Sequence, residues 1–67
     1  MELNSTSIKS VEHDAQAKVL SVRFHKGGVW HYDGVEGKTY RELLAAPSAG
    51  AHYHRFIRGK YPHRQGE

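Results

Sequence analysis

The chain has no cysteine. Disulfides and thiolate metal sites are therefore excluded, and nothing in it depends on an oxidising compartment, so a cytoplasmic location is expected. No apolar run approaches the ~18–20 residues of a membrane span. Met1 to Ser5 carry neither the basic stretch nor the apolar core of a signal peptide, and no membrane partner is expected. Acidic residues are few and scattered: Glu2, Glu12, Asp14, Asp33, Glu36, Glu42 and Glu67. Acid–base catalysis needs carboxylates that are paired, or a histidine oriented by one, and no such spacing occurs. His31 and Asp33 share a strand face, with Ser21 expected across from Asp33, but an open sheet offers no water-excluding cleft and no oxyanion donors. The chain is read as a binding module, not an enzyme, and without a cofactor.

Histidine, by contrast, is abundant, with six in 67 residues. A pair two positions apart, His52 and His54, points ~200° apart on a helix, and no pair has the spacing that places two imidazoles on one helical face. Surface histidines account for the composition, and no metal site is expected. The formal net charge is +3 with histidine neutral. Residues 1–33 carry four basic and four acidic side chains, and residues 34–67 carry six and three, so the excess lies in the second half.

A chain of 67 residues is one domain with a small core. Net stability of ~3–5 kcal/mol is typical of that size. The ordered part is expected to run from about residue 5 to 61, with 62–67 as a fraying tail. Lys18 to His25 alternates apolar and polar residues, and a second alternating run begins at Val29. A three-residue loop at 26–28 puts Phe24 across from Trp30 and Val22 across from Tyr32. That register gathers the large apolar groups on one face, and Gly28 supplies the positive φ such loops need. Upstream, Ser7 to His13 reads as a strand in which Ile8 and Val11 break alternation, which calls for a bulge near Lys9 and Ser10.

Two helices follow. Thr39 to Ala46 places Tyr40, Leu43 and Leu44 on one stripe and is stopped by Pro47. Ser48 then caps a second helix whose stripe is Tyr53, Phe56 and Ile57, with Gly59 to end it. The expected fold is α+β: a three-stranded antiparallel β-meander with two C-terminal α-helices packed on one face.

Away from their stripes the helices carry Lys38 and Arg41, with Glu42 beside them, and then His54, Arg55, Arg58 and Lys60; Arg64 follows in the tail. Arginine suits phosphate through its planar fork of donors, and these seven basic residues are the candidate nucleic-acid contacts. With most rings assigned to the core, Tyr61 is the best placed for base stacking. The polar sheet face around Arg23, His25, His31 and Asp33 offers a protein partner an alternative surface.

Taken together, these segments resemble a known family. The run LSVRFHKGGVWHYDGV (residues 20–35) is similar to the central hairpin of the KTSC domain, with its tyrosine–any–tyrosine motif present as Trp30-His31-Tyr32. SAGAHYHRFIRGKYPHR (residues 48–64) resembles the family's closing segment through Ser48, Gly50, Tyr53, Ile57, Arg58 and Tyr61. Departures are Glu36 in place of a frequent proline, His54 in place of a common asparagine, and His13 in place of a tyrosine. The domain is named for the C-terminus of some lysyl-tRNA synthetases and also occurs alone in bacteria and phages. The resemblance implies no catalytic residues. It implies a small module for which RNA is the suggested partner; a protein partner is the alternative reading, and a monomer is expected.

Overall fold

The computed structural model describes residues 1–3 and 5–66; Asn4 and Glu67 lie outside the described residues. The elements in chain order are β1 (Ile8–Asp14), β2 (Val19–Phe24), β3 (Val29–Asp33), α1 (Gly37–Ala45), α2 (Ala49–Phe56) and β4 (His63–Gln65). The sheet is antiparallel, four-stranded and ordered β1-β2-β3-β4. This corrects the three-stranded meander expected from sequence, and it places the helices between β3 and β4 and not at the end of the fold. The supposed tail supplies the fourth strand. The Asp33 N–H donates to the Pro62 carbonyl at 2.9 Å, and the Gly66 N–H to the Val29 carbonyl at 3.0 Å. Those bonds satisfy backbone groups that the free edge of β3 would otherwise leave to water.

The central hairpin keeps its expected parity but not its register. Val22 pairs with Trp30 and Leu20 with Tyr32, a slip of two residues from the Phe24–Trp30 and Val22–Tyr32 pairs. A slip of two leaves every side chain on its original face, so the hydrophobic pattern cannot distinguish the two. The loop chooses between them: the Phe24 N–H donates to the Gly28 carbonyl at 2.9 Å, closing the turn over residues 25–27, with Gly28 at φ +75°. The bulge lies where the sequence places it, between Ile8 and Ser10, and both Ile8 and Val11 are buried.

Between β1 and β2 the Asp14 carboxylate accepts from the Gln16 and Ala17 N–H groups, each at 3.1 Å. This is the local turn chemistry that short acidic side chains provide. Residues 1–3 lie along the outer edge of β1, with Glu2 bridged to Ser10.

Ile8, Val11, Leu20, Val22 and Tyr32 from the sheet meet Val35, Leu43, Tyr53 and Ile57 in one core. α1 ends where Ala46 turns extended (ψ 144°), as the residue before Pro47 must. α2 begins at Ser48, whose hydroxyl accepts from the Ala51 N–H at 3.3 Å, and Gly59 follows it at φ +75°. The two motifs that carry the family resemblance meet in the interior, where the hydroxyls of Tyr32 and Tyr53 share a short hydrogen bond. Burial, then that bond, push the Tyr32 hydroxyl well above the usual phenol range, with Arg58 pulling weakly the other way.

Three histidines tie separate segments of the chain together through backbone carbonyls. A carbonyl only accepts, so each ring must donate through Nε2: His13 to Val35 at 2.7 Å, His25 to Ser5 at 2.9 Å and His31 to Gly66 at 2.9 Å. The His31 Nδ1 is then left to accept from the Ser21 hydroxyl at 2.7 Å. Ser21 and His31 are thus cross-strand partners, and the partner of Asp33 on β2 is Val19 and not Ser21. Half of the histidines that enrich the composition hold the fold together.

Candidate nucleic-acid interface

The seven basic residues singled out in the sequence are all exposed, but they do not form one surface. Arg64 stands apart. Its cross-strand partner on β3 is His31, which puts its side chain on the sheet face opposite the helices. There it grips Asp33 through both carboxylate oxygens, at 2.6 and 2.7 Å. Both contacts come from Nη1, so one corner of the guanidinium is held by a partner within the fold.

Lys38 and Arg41 lie on α1. The Arg41 guanidinium reaches back over the first turn, so that a Cβ on Gly37 would sit 3.2 Å from its Nη1. On α2, His54 and Arg58 are neighbours one turn apart, with Arg58 Nη1 3.3 Å from His54 Nδ1. The side chains of Arg55 and Lys60 make no hydrogen bond or ion pair among the described residues, which leaves both cations to water. The cluster that remains is therefore Arg55, Arg58 and Lys60 at the end of α2, with His54 beside Arg58, and Lys38 and Arg41 on the neighbouring helix.

The aromatic side of this surface differs from the sequence reading. Phe56, assigned to the core stripe of α2, is 52% exposed. Tyr53 and Ile57, four apart, are the positions of this helix that face inward, and both are buried. An eight-residue helix has one inward row, and the residue at i+3 falls on its margin. The exposed ring rests against His52, with ring centroids 4.6 Å apart. Two shallow hollows adjoin the pair. One, of about 440 Å³, is lined by Thr39 and Glu42 of α1, by His52 and Phe56, and by Tyr61. The other, of about 270 Å³, runs along Pro47, Ser48, Ala51 and Arg55 to the same two rings. Nothing in the sequence pattern distinguished Phe56 from a core residue; the shortness of the helix was the one available signal.

Among the described residues no three His, Asp or Glu side chains are grouped to hold a metal ion. No described helix is long and apolar enough to cross a membrane. The open sheet face holds the Ser21–His31 and Asp33–Arg64 pairs and presents polar groups already engaged with one another.

Comparison with known proteins places this geometry. The family model of the KTSC domain matches residues 4–61. A lysine–tRNA ligase of Trichormus variabilis is 34% identical over 58 residues, which are 87% of this chain and 10% of the ligase. A lysine–tRNA ligase of Nostoc punctiforme is 33% identical over the same length and shares. The chain thus spans about a tenth of the length of these ligases. An uncharacterized protein of Stutzerimonas stutzeri is 29% identical over 59 residues, covering 88% of this chain and 83% of that protein. The crystal structure of a KTSC domain protein from Yersinia pestis superposes with a TM-score of 0.98 at 25% identity, covering 100% of this chain and 94% of that one.

Proposed function

The chain belongs to the KTSC domain family, and from that premise we propose that it is a non-catalytic module that binds single-stranded RNA. The contact surface is the outer side of α2 with the neighbouring part of α1. The observation that carries this reading is the juxtaposition of an exposed aromatic ring with uncompensated cations: Phe56 stands 52% exposed beside Arg55, with Arg58 and Lys60 following on the same chain segment. Single-stranded nucleic acid is held by that combination, because phosphates need positive charge along the backbone while every base offers a π-face for stacking. The relatives named lysine–tRNA ligase join an amino acid to an RNA, which supports RNA as the polymer by analogy. A domain making up a tenth of such a ligase would add affinity for the RNA and leave the ligation chemistry to the rest of that protein.

The test is the salt dependence of binding to a short single-stranded RNA. Four or five phosphate contacts give a log–log slope of about −3, at about −0.7 per contact. Reversing two charges, Arg55→Glu with Arg58→Glu, should weaken binding and flatten that slope by about 1.4. Affinity that ignores salt, or that survives the double reversal, contradicts the reading.

A further inference from the structure

Phe56 is paired with a specific set of neighbours. Single exposed apolar side chains are ordinary on protein surfaces. This one forms a wall of a cleft of about 440 Å³ between the two helices, within the ~300–1,000 Å³ range of small-ligand sites. The cleft has a second aromatic group, Tyr61, on its lining and a carboxylate, Glu42, on its α1 side. The Glu42 side chain is exposed and makes no hydrogen bond or ion pair among the described residues. The ring of His52 backs Phe56, and its Nε2 is shut away from water with no hydrogen-bond partner. Arg55 lines the adjoining hollow together with the same two rings and supplies the positive charge.

A flat aromatic wall, an acceptor-only carboxylate and a nearby guanidinium match one chemical group well. An ionised carboxylate accepts and cannot donate. Of the four RNA bases, guanine alone presents two adjacent donors, N1–H and N2–H₂, along its pairing edge. Adenine and cytosine each set one amino donor beside a ring acceptor, and uracil has a single N–H between two acceptors. We propose that the cleft between α1 and α2 takes one unpaired guanine of an RNA strand, stacked on Phe56, with its N1–H and N2–H₂ donating to Glu42 and its phosphate toward Arg55. The inference rests on the RNA-binding reading and adds to it a base preference that charge alone does not give. Reading of unpaired bases by stacking and by their pairing edges is the usual route to sequence preference in RNA.

The experiment measures the affinity of the full chain for four RNA pentamers that are uridine except for a central G, A, C or U, and for free GMP. The G pentamer should bind roughly five- to a hundred-fold tighter than the other three, the range of one bidentate base contact. GMP, which lacks the flanking phosphates, should bind at least roughly ten-fold more weakly than the G pentamer. Phe56→Ala should weaken all four pentamers, by roughly five-fold or more, as loss of a stacking platform does. Glu42→Gln, a change on an exposed side chain, should abolish the preference for G and leave the U pentamer bound at least as tightly. Equal affinity for all four pentamers, with salt dependence intact, overturns the guanine site and leaves the RNA reading standing. No binding of any pentamer overturns both. A preference for G that survives Glu42→Gln, or GMP bound as tightly as the G pentamer, also overturns the inference.

Discussion

Tyr32 and Tyr53 come from the two segments most like the family, and the bond between their hydroxyls explains why both positions are tyrosine and not phenylalanine. Replacing one partner leaves the other hydroxyl buried and unpaired, which costs about 1–3 kcal/mol. Tyr32→Phe should lower stability to urea by that amount. The pH dependence has a definite sign. The folded state holds the Tyr32 hydroxyl neutral above its ordinary range, so its contribution is complete below the unfolded phenol pKa of about 10. Above that value the unfolded chain ionises first, and stability falls as pH rises. Tyr40, raised by burial and then by the Glu12 carboxylate, shifts in the same sense. Wild type should therefore lose stability steadily above about pH 10, and Tyr32→Phe should lose it less steeply. A flat profile in wild type up to pH 12 would show that the bond does not hold the proton.

Among the elements, β4 separates what the sequence shows from what it does not. His63, Arg64 and Gln65 contain no apolar residue, and all three are exposed, so neither period nor propensity marks them as a strand. They pair because β3 has a free edge, and because the His63 ring lies against Trp30 and Tyr32, at 5.4 and 5.8 Å between centroids. Truncation after Pro62 should lower stability by about 1–3 kcal/mol and shift Trp30 fluorescence to the red as the ring gains water. Arg64→Ala should cost less than about 1 kcal/mol, because the Asp33 pair is exposed. Equal effects of the two changes would mean that the strand contributes nothing beyond its ion pair.

The other elements were legible for identifiable reasons. Ser48 sits ahead of an apolar stripe and caps α2, and Ser48→Ala should cost about 1 kcal/mol. The Lys9–Ser10 bulge followed from the spacing of Ile8 and Val11. The hairpin register did not follow, because a two-residue slip preserves both faces and the decisive bond, Phe24 to Gly28, is a backbone one. In the candidate site the charges could be read directly from Arg55, Arg58 and Lys60. The exposure of Phe56 could not, because its spacing from Tyr53 is that of a core residue and only packing against the sheet decides which of the two turns inward.

For the whole molecule, the sheet gives it two unlike sides. One carries Ser21, His31, Asp33 and Arg64 in mutual hydrogen bonds and an ion pair. On the other, the helices cover the core and leave cations and one aromatic ring facing out. A polymer that needs charge and stacking should choose the helix side, and the opposite face should remain indifferent to it. The direct measurement is a titration of ¹⁵N-labelled full chain with a short single-stranded RNA, the matching DNA and polyphosphate as a control polyanion, followed through backbone amide shifts. RNA should move Arg55, Phe56 and Tyr61 together and leave Ser21, His31 and Asp33 in place, while polyphosphate should move Arg55 without Phe56. Shifts concentrated on the sheet face, or the same map from RNA and polyphosphate, would contradict binding by the helix surface.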